Sequence, residues 1–278
     1  MKTVWYVIKY LLWAALGTVL VFIIYFTTVY FLQEKFLFPA KSGCAAAPQY
    51  IKKTEYLVGT ENNYQLNAWY IESSAPRATV LYLHGNAGDL NCLIEQFEVF
   101  DDLGLNVFAV DYRGYGKSSG TINLKNDILA DSEAAFNYAV RFLNIKPEDI
   151  IIWGRSIGSA PATFLANKYK VKALVLESGF AELSKVVETK LPFLPVKQLL
   201  KYSYNNTELI GKIECPKLFI HGKNDPLILF ENSEILFAKA NVPKQLLALQ
   251  GEHNNLLFVA KKEYLEGVNR FLEPILAK

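Results

Sequence analysis

Apolar residues are distributed along this chain in three different ways, and each predicts a different kind of element. Tyr10 to Leu32 is 23 residues without a charge. At about 1.5 Å per residue, a helix of that length matches a hydrocarbon layer of roughly 30 Å. Trp5, Tyr6, Tyr10 and Trp13 gather near one end and Tyr25, Tyr30 and Phe31 near the other, where amphipathic rings favour a membrane interface. From Thr54 onward, short apolar runs alternate with longer stretches of helical spacing. Strands are expected near Thr54 to Val58, Leu66 to Ile71, Thr79 to Leu83, Asn106 to Val110, Ile150 to Trp153, Ala173 to Leu176, Lys217 to Ile220 and Gln245 to Leu249. Helices are expected near Leu90 to Leu103, Leu124 to Leu143, Ile157 to Lys168, Glu231 to Ala240 and Asn255 to Leu272. Such alternation predicts an α/β fold with a mostly parallel, eight-stranded sheet and helices on both faces. The third pattern is an interruption. Gly179 to Lys212 carries Leu191-Pro192-Phe193-Leu194-Pro195-Val196 and Leu199-Leu200, which is neither a clean strand nor one long helix.

The chain therefore divides into a tail and transmembrane anchor over residues 1–33 and one domain over 34–278, interrupted at 179–212. A cleaved secretory signal would need a shorter apolar core and a nearby small-residue cleavage site. Ala45-Ala46-Ala47 lies far downstream, and Pro48 would follow the cut. A lipoprotein cysteine at Cys44 conflicts with Lys41, where an apolar residue belongs. Lys2 and Lys9 favour an inside N-terminus with the domain on the far side, against Glu34, Lys35 and Lys41 at the other end.

Charge and cysteine usage exclude more than they assign. A net charge of +2 with interspersed signs offers no basic patch or aromatic-basic ladder, so nucleic acid is not an expected partner. Cys44, Cys92 and Cys215 are odd in number and widely spread, which points to neither a disulfide framework nor a metal site. Cys92, in an apolar helical stretch, reads as a small core hydrophobe. Asn205-Asn206-Thr207 fits a glycosylation triplet that is frequent by chance. No cofactor motif is present, and nothing in the pattern fixes an oligomeric state.

One local motif carries chemistry. The apolar run Ile150 to Trp153 leads into Gly154-Arg155-Ser156-Ile157-Gly158 and then at once into a helix-like stretch. Strand, Gly-x-Ser-x-Gly and helix together describe a nucleophile elbow, in which a tight turn holds the serine hydroxyl out at the strand tip. Only three histidines exist to serve as its base. His84 and His221 each end an apolar run and precede glycine, which suits a structural role. His253 lies in the loop Gly251-Glu252-His253-Asn254-Asn255, from which a ring can reach a serine on a neighbouring strand. Asp225, in the loop after the strand ending at Ile220, falls between serine and histidine, where an acid orienting the imidazole is needed. An oxyanion hole needs backbone N–H groups, and Asn86 in His84-Gly85-Asn86-Ala87-Gly88 with Ile157 are the expected pair.

These segments, with Asp111-Tyr112-Arg113-Gly114-Tyr115-Gly116, resemble the α/β-hydrolase superfamily over about residues 34 to 278. Within it the likeness is to the membrane-anchored alpha/beta-hydrolase-domain proteins, which include lysophospholipases and protein depalmitoylases. The resemblance implies Ser156 as nucleophile, Asp225 as acid, His253 as base, and Asn86 and Ile157 as oxyanion donors. It gives Asp111 and Arg113 a structural or site-bordering place. It also makes 179–212 a short cap, whose apolar residues suit either an acyl chain or a buried connection on the sheet edge. The expected activity is hydrolysis of a carboxylic ester or thioester of a small or lipid-like acyl substrate, without a cofactor. An acyltransferase or peptidase using the same residues and a non-catalytic scaffold of the same fold remain the other readings.

Overall fold

The computed structural model describes residues 2–40, 44–61, 63–192 and 194–277. Lys41, which bears on the lipoprotein and charge arguments, and Phe193 of the interruption lie outside them. Helix α1 (Lys2–Leu37) contains the apolar run and extends beyond it. Gln33, Glu34 and Lys35 are good helix formers, and the first breaker is Pro39. Nearly the whole apolar stretch is bare of protein contacts, but the end of the helix is not. Gln33 is buried; its Nε2 donates to the Leu199 carbonyl at 3.1 Å and its Oε1 accepts from Lys201 N–H at 2.8 Å. Phe38 packs edge-on against Tyr202, with ring centroids 5.1 Å apart.

Eight strands follow: β1 (Lys53–Gly59), β2 (Gln65–Ile71), β3 (Ala78–Leu83), β4 (Leu105–Val110), β5 (Ile150–Arg155), β6 (Ala173–Glu177), β7 (Lys217–Gly222) and β8 (Lys244–Leu249). They form one sheet in the order β1-β2-β4-β3-β5-β6-β7-β8. Only β2 runs against its neighbours; every pair from β4 to β8 is parallel. The central strands read as continuous apolar runs because both of their faces are covered. Ile150 and Ile152 enter the core beneath helices α3 (Asp127–Arg141) and α4 (Ser159–Lys168). Ile151 and Trp153 enter the opposite core, beneath α2 (Ile94–Asp102) and α9 (Lys261–Leu276). The expected sheet and two-sided helical cover are therefore present.

Several helix ends differ from expectation. The stretch from Leu90 opens as a 3-10 turn over Leu90–Leu93 before α2 begins. The C-terminal stretch is broken into α8 (Leu256–Val259) and α9 because Ala260 lies outside the helical region, at φ −139° and ψ 31°. In the interruption between β6 and β7, α5 (Leu183–Lys190), α6 (Val196–Leu199) and two 3-10 turns are joined by a bridge between Glu182 and Asn205. Leu194 and Val196 point inward and are buried. α7 (Glu231–Lys239) covers β7 and β8.

The cysteine expectation is corrected. Cys44 and Cys92 form a disulfide with Cα atoms 5.3 Å apart, 48 residues apart in sequence, and Cys215 is the free thiol. An odd count hid a bonded pair plus a remainder. The pairing is made by tertiary structure: the Ala47 N–H donates to Asn91 Oδ1 at 3.0 Å and draws the two segments together.

Candidate active site

The elbow forms as the glycine spacing requires. Ser156 sits at φ 54°, in the left-handed region that a non-glycine residue enters only when its surroundings hold it there. It opens a 3-10 turn over Ser156–Gly158 that runs directly into α4. A Cβ on Gly158 would strike the Leu83 carbonyl oxygen, and one on Gly154 would strike Gly158 and, at 2.5 Å, Ala162 Cβ. Both glycines are thus demanded by space: α4 must start close against β3 and β5.

Three loops at the C-terminal ends of parallel strands converge on this turn, the usual place for a site in such a sheet. His253 follows β8, and its Nε2 lies 3.1 Å from Ser156 Oγ. Its Nδ1 lies 2.7 Å from Asp225 Oδ2, in the loop after β7. With Asp225 ionised, Nδ1–H donates to the carboxylate, and Nε2 is left to accept the Ser156 proton. All three side chains are nearly buried. Burial works against ionisation of Asp225, yet hydrogen bonds from His221 and His253, the charge of His253 and the Ile228 N–H hold its carboxyl well below the usual carboxylate range. Its other oxygen accepts from Leu227 N–H at 2.8 Å and Ile228 N–H at 2.9 Å. His221, expected to be structural, is fully buried between Ser233 Oγ at 2.6 Å and the Ile228 carbonyl at 2.7 Å.

The loop after β3 lies against the serine. A Cβ on Gly85 would come within 3.6 Å of Ser156 Cβ, so the segment that precedes Asn86 passes close to the serine. His84 Nδ1 donates to the Gly85 carbonyl at 2.7 Å, which fixes the plane of the peptide whose N–H belongs to Asn86. The motif after β4 props the loop from behind. Tyr112 donates to the His84 carbonyl at 3.2 Å, Tyr115 to the Asn86 carbonyl at 2.8 Å, and Asp111 Oδ1 accepts from Leu90 N–H at 3.0 Å. Burial pushes the Asp111 carboxyl up to about 7 and the His84 imidazole down to about 4. Arg113 instead pairs with Asp127 at 2.8 Å and Asp131 at 2.6 Å, pinning the start of α3.

No local motif marks a role for Tyr112 and Tyr115, nor for Arg155 and Glu177, which meet behind the His253 loop. The available cue was a charged residue at the tip of each of two adjacent apolar strands. Among the described residues no cluster of His, Cys, Asp and Glu is arranged to hold a metal ion.

The profile of the serine aminopeptidase S33 family matches residues 74–207, which include Asn86, Ser156 and Ile157 but end before Asp225 and His253. The human alpha/beta hydrolase domain-containing protein 17B is 32% identical over 222 residues, covering 78% of this chain and 74% of the relative. The chain belongs to the α/β-hydrolase superfamily. The uncharacterised protein YfhR of Escherichia coli is 32% identical over 199 residues, covering 68% of this chain and 69% of its own length. The esterase Pf2001 of Pyrococcus furiosus shares the fold at 21% identity, with a TM-score of 0.70 over 85% of this chain and 99% of that one.

Proposed function

We propose that this α/β-hydrolase is a membrane-anchored serine hydrolase that cleaves carboxylic esters or thioesters through an acyl-enzyme. The single observation that carries the reading is the unbroken line from Asp225 Oδ2 through His253 to Ser156 Oγ, at 2.7 and 3.1 Å. In the reaction Ser156 Oγ attacks the acyl carbonyl as His253 Nε2 takes its proton, and Asp225 stabilises the imidazolium. The Asn86 and Ile157 N–H groups take the developing oxyanion. His253 returns the proton to the leaving alcohol or thiol. Water, deprotonated by the same imidazole, then releases the acid. The esterase activity named for the structural neighbour agrees with this choice of bond. A peptidase is the second reading, favoured by the serine aminopeptidase description of the matching family.

Residues 1–33 would be the anchor and 34–278 the catalytic domain, with 179–212 as its cap. A removable signal sequence fits less well, because cleavage within or just after α1 would discard Gln33 and its bonds to the cap. The disulfide between Cys44 and Cys92 supports a domain on the oxidising side of the membrane, consistent with an inside N-terminus. The seating of the helix end beside Leu199 and Lys201 supports a cap close to the lipid interface and so the choice of small or lipid-like acyl substrates.

A fluorophosphonate probe tests the reading. The wild-type chain should be labelled and Ser156→Ala should not, while its turnover of a p-nitrophenyl ester falls by about four to six orders of magnitude with folding intact. A folded Ser156→Ala variant that keeps ordinary turnover would overturn the assignment. Turnover of aminoacyl amides above that of esters would select the peptidase.

A further inference from the structure

Strand β5 ends one residue before the serine. Arg155, immediately before the serine, stands opposite Glu177 in the parallel pairing of β5 with β6, so both side chains leave the sheet on one face. Glu177 is buried and held from two directions: its Oε2 accepts from Trp153 Nε1 at 3.1 Å and from the Tyr264 hydroxyl at 2.7 Å. Its Oε1 faces Arg155 Nε at 3.4 Å. That carboxylate balances the guanidinium charge in a poorly hydrated place and fixes the direction of its fork.

From there the guanidinium reaches the loop that carries the base. Arg155 Nη2 donates to the His253 carbonyl at 3.0 Å and to Asn254 Oδ1 at 2.9 Å. His253 is therefore held twice, its ring by Asp225 and its backbone by the residue next to the nucleophile. The rest of the loop is held at its two ends and not at His253: the Gly251 carbonyl accepts from Asn224 N–H at 3.0 Å, the Glu252 N–H bonds to Asn255 Oδ1, and the Asn255 carbonyl accepts from Phe258 and Val259 N–H. We propose that Arg155 is a positioning residue, clamping the His253 backbone so that Nε2 stays in line with Ser156 Oγ, with Glu177 holding the clamp in place. The proposal rests on the reading of His253 as general base. A shift of about 1 Å in such a line costs on the order of a hundredfold in rate.

The full-length chain in detergent is the material for the test, with a p-nitrophenyl ester as substrate and fluorophosphonate titration to count competent sites. Arg155→Ala should lower kcat per titrated site about 10- to 100-fold and leave KM within about twofold, because the group touches the base and not the substrate. Arg155→Lys should recover only part of the loss, since an ammonium cannot serve Glu177 and both loop acceptors in one plane. A cavity of about 160 Å³ bordered by Arg155, Glu177, His253 and Asn254 gives free guanidinium an entry. Millimolar guanidinium chloride should thus raise kcat of Arg155→Ala and leave the wild type unchanged. A purely structural role would instead lower thermal stability and the fraction of titratable sites while kcat per site stays the same, and that result would overturn the proposal. Should Arg155→Ala fail to fold, Asn254→Ala and Arg155→Lys decide: a kcat per site within twofold of wild type in both overturns the clamp. A folded wild-type chain that takes no label would bring down the serine-hydrolase reading and the clamp together, whereas normal labelling with an unaffected Arg155→Ala removes the clamp alone.

Discussion

Asp111 accepts hydrogen bonds from Asn67 Nδ2 at 3.0 Å and Leu90 N–H at 3.0 Å, and faces His84 Nε2 at 3.7 Å. Burial dominates, so its neutral form is favoured in the folded protein, with a carboxyl at about 7 against an ordinary value of 3.8. A carboxyl raised in this way contributes stability that is fully present below pH 4 and is lost as pH climbs through 7. Unfolding free energies compared between wild type and Asp111→Asn should therefore converge or cross over that window, by up to about 1.4 kcal/mol per pH unit. A pH-independent difference from urea melts would show that the carboxyl titrates normally. The residues of the proposed triad were legible because each sits in a local signature: a glycine-flanked serine, or a polar side chain in the loop directly after an apolar run. Arg155 and Glu177 were not, because their meaning lies in a pairing across β5 and β6 that no short segment contains.

At the level of elements, the central strands were readable because a sheet covered on both faces makes most of their side chains apolar. Helix ends were less readable. A 3-10 opening such as Leu90–Leu93 and the break at Ala260 are imposed by packing, and their side chains do not announce them. The junction of β3, β5 and α4 is the least forgiving point of the architecture. Gly158 has an ordinary helical φ of −62°, so its requirement is room against the Leu83 and His84 carbonyl oxygens and not conformational freedom. Since backbone oxygens at a strand end cannot step aside, Gly158→Ala should cost about 3 kcal/mol or more in urea unfolding and displace the serine. A loss below about 1 kcal/mol would mean that the elbow is slacker than its geometry.

For the molecule as a whole, the disulfide closes a loop of 48 residues between the end of α1 and the turn that follows the Asn86 loop. A cross-link of that span stabilises by about 3 to 4 kcal/mol, chiefly by restricting the unfolded chain. Cys44→Ser and Cys92→Ser should each lower the melting temperature by the same amount as reductant does to the wild type, while Cys215→Ser should leave the response to reductant intact. Unequal effects of the two would point to a role for one sulfur beyond the bond. The stitch at Gln33 has a mechanical consequence of its own. Both ends of that amide are fastened to the backbone at Leu199 and Lys201, so the end of the long apolar rod is tied directly to the domain. Were α1 to lie in a bilayer as proposed, a thinner or thicker lipid sheet that tips the rod would tip the Ser156 turn through the same angle.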